Sequence, residues 1–160
     1  MFAARSHGSR RAATLRDFGD ADFETLYAID QACYPPGIAY SRRMLRWYLR
    51  LPNAECIVAA AGPEIAGFIL TDFEASEGHI ITIDVLSNRR RGGIGSALLR
   101  EAERRLAAKG VREVTLETAT TNEAGIAFWQ RHGYRTMGVI PRYYQGRHDA
   151  YFMRKTIRLA

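Results

Sequence analysis

Lysine is nearly missing from this chain of 160 residues: only Lys109 and Lys155 accompany the arginines that make up the rest of its 23 basic groups. The resulting formal charge of +6 attracts anions such as phosphorylated cofactors, acidic peptides or nucleic acid, but a solvated basic surface is the simpler account of it. Cysteine is also scarce. Cys33 and Cys56 are too few for a disulfide framework, and neither belongs to a CxxC pair, which excludes a thiolate metal site and fits a reducing cytoplasm. No apolar run approaches the ~20 residues that span a bilayer, so no membrane segment is expected. Residues 1–11 contain no acid and no apolar stretch of the secretory kind, and read as a mobile basic tail. Residues 12–160 are then long enough for one domain with its own core. Neither a recognition helix nor aromatic-basic interleaving is present, so no specific nucleic-acid site is expected.

What is present alternates in a regular order. Ala12–Arg16 reads as a short strand, followed by a helix whose first turn is offered side-chain oxygens by Asp20 and Asp22. Phe23, Leu26, Tyr27 and Ile29 give that helix its apolar face as far as Cys33. Tyr34-Pro35-Pro36-Gly37 breaks it, because proline lacks the N–H a helix needs. Ser41 caps a second helix running to Leu51. Three strands are expected next, at Cys56–Ala61, Ile65–Asp72 and Gly78–Val85, the first two joined by Gly62-Pro63-Glu64. A helix to Lys109 is stopped by Gly110, and Val111–Thr118 is a strand. Asn122–His132 is a helix, Tyr134–Val139 a strand, Pro141–Arg147 a loop and Ala150–Thr156 a final strand. The order βααβββαβαββ predicts an α/β (α+β-like) domain: a mixed central sheet of about seven strands with about four helices. The helical crossover after Val85 predicts a parallel pair with Val111–Thr118, unless another strand intervenes.

Arg90-Arg91-Gly92-Gly93-Ile94-Gly95-Ser96 joins a strand to a helix. A helix start leaves backbone N–H groups unpaired and carries partial positive charge, so a glycine-rich turn there can cradle phosphate. It can equally be a tight turn with no ligand. The sequence lacks GK[ST], which argues against a nucleoside-triphosphate loop, and lacks GxGxxG after its first strand, which argues against a dinucleotide fold.

The spacing resembles the GNAT acetyltransferase superfamily, whose pyrophosphate motif is Q/R-x-x-G-x-G/A. Arg90, Gly93 and Gly95 fit it after Ile83-Asp84-Val85, and the stretch from Asn122 through Trp129 and Gly133 to Tyr134 resembles a later family segment. Within that superfamily the chain is most similar to protein N-terminal acetyltransferases, including the ribosomal-protein-alanine type. Gly78-His79-Ile80, Leu116-Glu117-Thr118 and Arg142-Tyr143-Tyr144 with Asp149-Ala150 carry the narrower likeness.

That resemblance implies a GNAT fold, acetyl-CoA as cosubstrate, no metal, and acetyl transfer to a primary amine by direct attack. Ile83, Asp84 and Val85 would pair with the pantetheine arm through their backbone, and an N–H near Val85 would polarise the thioester. Arg90, Arg91, Gly92, Gly93, Ile94, Gly95 and Ser96 would hold the pyrophosphate, with Asn122 and Trp129 further along the cofactor. Glu117 stands where the general base is expected, and His79 where some relatives have a proton-handling tyrosine; from pattern alone each is also an ordinary strand residue. Trp129 replaces a tyrosine thought to protonate the departing thiolate, and indole is no usable acid. Tyr143, Tyr144 or His79 is left to supply that proton, unless CoA leaves as a thiolate. Tyr34, Pro35, Tyr40, Tyr143 and Tyr144 would wall a groove for a peptide or protein N-terminus, with ribosome proximity a further implication. A small amine or lysine acceptor, and a non-catalytic RNA-binding module, are the competing readings.

Overall fold

The computed structural model describes residues 12–158; the tail expected at residues 1–11 lies outside the described residues. Seven strands form one sheet in the order β1-β2-β3-β4-β5-β7-β6. In chain order these are β1 (Thr14–Asp17), α1 (Phe23–Cys33), α2 (Arg42–Leu49), β2 (Glu55–Ala61), β3 (Glu64–Glu74), β4 (Glu77–Val85), α3 (Ile94–Ala108), β5 (Glu113–Ala119), α4 (Glu123–Arg131), β6 (Arg135–Tyr144) and β7 (His148–Thr156). The expected order of strands and helices is the observed one.

Each face of the sheet buries its own core. On one face Leu98, Leu99, Ala102 and Leu106 of α3 pack with Trp129 of α4 against Ile57, Ile69, Ile80 and Leu116 of the strands. On the other, Phe23, Leu26 and Ile29 of α1 and Leu45 of α2 cover Val58, Phe68 and Leu70. β2 and β3 are therefore apolar on both sides, as their continuous runs of Val, Ile, Ala and Phe require.

Local chemistry explains the boundaries, with two corrections. Ser41 Oγ accepts the Met44 N–H at 3.2 Å and starts α2 as expected. Asp22, expected to cap α1, makes no side-chain cap bond to it. Its carboxylate is drawn back by Arg16 (2.7 and 2.9 Å) and by the Gly19 N–H (2.9 Å), bracing a one-turn 3₁₀ helix over Asp20–Asp22. The loop expected at Pro141–Arg147 shrinks to a tight hairpin turn after Tyr144. β6 runs on through Pro141, which an edge strand tolerates because one row of its N–H groups faces outward. A register shift between Ile140 and Tyr144, with Arg142 at φ 54°, absorbs the irregularity.

Candidate active site

The site follows from one break in the sheet. β4 and β5 pair in parallel only from Glu77–Glu113 to His79–Thr115. Opposite β3, Thr71 pairs with Ile80 but Leu70 pairs with Thr82, so Ile81 is a bulge. A bulge bends its strand and increases the local twist, and beyond it β4 has no strand on its outer edge. The gap is a cleft of about 520 Å³.

Side chains reach the open edge of β4. Tyr40 donates its hydroxyl to the Ile81 carbonyl (3.2 Å), Tyr34 to that of Ile83 (2.8 Å), and Arg90 Nε to that of Val85 (2.9 Å). The N–H and C=O of one extended residue project to the same side, so the amides of Ile83 and Val85 also face the cleft. Gly67 on β3 makes this strand position feasible: a Cβ there would lie 2.4 Å from the Asp84 carbonyl oxygen.

At the end of β4 the chain turns into α3. Arg91 (φ 64°) and Gly93 (φ 82°) are left-handed, a curl that turns successive amides inward. Gly93 is the N-cap of α3 without a side-chain cap bond, so the first N–H groups of a 15-residue helix face the cleft. A Cβ on Gly93 would meet nothing within 4 Å, so open space lies where a ligand would approach. Ser96 Oγ lies 2.9 Å from His132 Nε2, and burial, then the charges of Lys155, Arg100 and Arg131, lower the His132 pKa.

Where β4 and β5 part, His79 Nε2 lies 2.6 Å from Glu117 Oε2, and its Nδ1 lies 3.8 Å from Asp72. Burial would lower the His79 pKa, but the hydrogen bond and charge of Glu117, then the charge of Asp72, more than offset it and raise it. Two carboxylates on opposite ring nitrogens favour the imidazolium. Tyr143, Tyr48 and Tyr144 lie within the field of Glu117. Burial raises the pKa of all three phenols, so they stay protonated donors. Cys33, in the same cleft, is pushed up to about 11, first by burial and then by the charge of Asp84, and remains a thiol.

The cleft brings together Tyr34, Tyr40, Ile83, Val85, Arg90, Arg91, Gly93, Gly95, Ser96, Glu117, Asn122, Trp129 and Tyr144. The other residues singled out in the sequence lie elsewhere. Pro35 and Gly92 are exposed beside the cleft wall, Ile94 packs against the core, and the Asp84 side chain points into the interior. His79 and Tyr143 stand behind Glu117. Asn122 Oδ1 caps α4 through the Gly125 N–H (3.0 Å), which leaves its amide nitrogen for a ligand. Trp129 is only 5% exposed and meets Phe128 and Tyr134 edge to face. Sequence reasoning missed Asp72, whose place opposite His79 depends on the β3–β4 register. It also missed Arg131, which lines the same cleft.

A split parallel pair with a free amide edge beside a helix start makes a cleft suited to an extended, phosphate-bearing cosubstrate. The chain belongs to the acetyltransferase (GNAT) family, whose model matches residues 23–134. It is 29% identical to an N-alpha-acetyltransferase of Sulfurisphaera tokodaii over 87% of this chain and 90% of that one. The crystal structure of Ard1 from Thermoplasma volcanium superposes with a TM-score of 0.84 at 26% identity, covering 92% and 99% of the two chains. The ribosomal-protein-S18-alanine N-acetyltransferase from Escherichia coli shares the fold, with a TM-score of 0.81 at 24% identity over 92% and 96%. The protein is thus an acetyl-CoA-dependent acetyltransferase acting on amines. Among the described residues no group of three or more His, Cys, Asp or Glu side chains is placed to hold a metal ion, and no helix is long and apolar enough to cross a membrane.

Proposed function

We propose that the acceptor is the α-amino group of a protein N-terminus, with ribosomal proteins among the substrates. The observation that carries this reading is the His79–Glu117 pair at the parting of β4 and β5, with Tyr40, Tyr48, Tyr143 and Tyr144 around it. Tyrosines offer flat apolar faces and hydroxyls, the surface that an extended peptide backbone requires. The similarity to N-alpha-acetyltransferases along most of the chain supports it too.

In this reading the amides of Ile83 and Val85 take the pantetheine and polarise the thioester carbonyl, and those from Arg91 to Ser96 take the diphosphate. An α-amine of pKa about 7.7–8.0 is partly protonated at neutral pH and must lose a proton to attack. Glu117 accepts it, directly or through a water, while His79 holds the other carboxylate oxygen. Cys33, kept as a thiol, is no nucleophile, so the amine attacks the thioester directly. Tyr144, whose hydroxyl has no hydrogen-bond partner among the described residues, donates to the departing thiolate.

A panel of peptides with varied first residues, incubated with acetyl-CoA beside Nα-blocked lysine peptides and small polyamines, tests the acceptor. Acetyl groups mapped by mass spectrometry should sit on free N-termini. Acetylation confined to lysine side chains or small amines refutes the reading.

A further inference from the structure

α1 carries an acid in its apolar stripe: Asp30 follows Phe23, Leu26 and Ile29 and is 0% exposed. It faces Asp84 of β4, itself 1% exposed. Asp30 Oδ2 accepts the Tyr40 N–H at 2.7 Å, and Asp84 Oδ1 accepts the Thr82 hydroxyl at 2.6 Å. The remaining oxygens, Asp30 Oδ1 and Asp84 Oδ2, have no donor, and each of the two carboxyls lies in the field of the other. Two bare carboxylates cannot bond one another, and two adjacent buried negative charges are strongly disfavoured. One proton held between them supplies the missing donor for both.

The pair sits at a joint. Through Tyr40 N–H, Asp30 holds the loop between α1 and α2; the same loop laces the open edge of β4 through the Tyr34 and Tyr40 hydroxyls. That loop is one wall of the cleft, and the edge beneath it carries the amides assigned to the thioester. We propose that Asp30 and Asp84 are positioning residues: one proton shared between them clamps the α1–α2 loop onto β4 and sets the distance between the acceptor wall and the cofactor strand. This rests on the proposed reading of the cleft.

The groups facing the pair give a second negative charge little compensation. They are Cys33 from α1, Tyr34 and Tyr40 from the loop, Cys56 from β2, Thr82 from β4 itself, and Arg90 from the following turn. Arg90 is the one cation among them, and it is engaged by the Val85 carbonyl. Burial, then the charge of Asp30, raises the Asp84 pKa well above the ordinary carboxyl value, which favours keeping the proton. Where pH is high enough to remove it, the loop loosens.

Asp30→Asn keeps an acceptor for Tyr40 N–H and gives Asp84 an amide donor that does not titrate. Asp30→Ala removes both contacts. For wild type we expect an acceptor KM that climbs about tenfold in alkali with a smaller change in kcat; Asp30→Asn removes that climb, and Asp30→Ala shows the high KM already at neutral pH. Infrared spectroscopy of the folded protein, without substrate, should show a protonated-carboxyl band at neutral pH that Asp30→Asn abolishes. An Asp30→Asn profile that superposes on wild type, or no such band, overturns the proposal even if Asp30→Ala fails to fold. If no peptide is acetylated, the acceptor reading fails and the infrared result still decides the shared proton.

Discussion

Replacing Glu117 with glutamine changes one oxygen to nitrogen in a side chain that is 16% exposed and 2.6 Å from His79. Glutamine fills the same space and can still hydrogen-bond a neutral imidazole, so the cleft keeps its shape. What disappears is the group proposed to take the amine proton. Positioned general bases contribute about 10²–10⁴ in rate, and one decade is about 1.36 kcal/mol, so the expected loss in kcat is about 2.7–5.4 kcal/mol. The proposed diphosphate site at the start of α3 is built by other elements, so acetyl-CoA affinity should change less than about twofold. His79→Ala removes the partner that holds the carboxylate in place and should cost about tenfold. Because the two side chains act as one unit, the double variant should be no slower than Glu117→Gln alone. Steady-state thiol release with a peptide acceptor, beside calorimetric titration of acetyl-CoA, measures both quantities. A Glu117→Gln enzyme within about threefold of wild type from about pH 6 to 9 refutes Glu117 as the base, and full additivity refutes the pair.

Three further outcomes follow from the same geometry. The pKa of His79 is raised in the folded state, so its pairing stabilises the fold fully below about pH 6.5 and loses this effect as pH climbs through the raised value. Thermal unfolding should therefore show Glu117→Gln more destabilised at acid pH than at alkaline pH; equal destabilisation at both contradicts the pairing. Gly67→Ala places a methyl 2.4 Å from the Asp84 carbonyl oxygen and 3.1 Å from Val85 Cα, an overpacking that costs about 1–3 kcal/mol or more by denaturant titration and displaces the thioester-facing edge. Gly93→Asp has free space for its side chain but a left-handed backbone at φ 82°, so it should lose about 1–2 kcal/mol of stability while abolishing CoA binding by charge; undiminished calorimetric binding contradicts the diphosphate site.

The elements were legible because their signals are local. Apolar spacing, Ser41, Gly110 and the β-branched runs act within a few residues, and they placed seven strands and four helices in order. The glycine turn was legible for the same reason: a helix start, a left-handed residue and a bent backbone are consecutive in sequence. Asp22 and Pro141 were misread because something outside their own helix or loop decided them: Arg16 on β1 in one case and an edge position in the sheet in the other.

The chemistry of Glu117 depended on a register that no local pattern contains. Its strand is paired with β4 for only three residues, and the Ile81 bulge then opens the cleft beside it. His79 meets Glu117 across 38 positions of sequence and Asp72 across the β3–β4 pairing. Asp30 and Asp84 are 54 residues apart and no local pattern pairs them; in the proposed reading, burial between a helix and a sheet makes them share a proton. Sequence alone determined which backbone segments form and where amides are left free, since hydrogen bonding and torsion preferences are set residue by residue. Only the tertiary structure decided which charged groups become neighbours out of water, and a pKa depends on those neighbours.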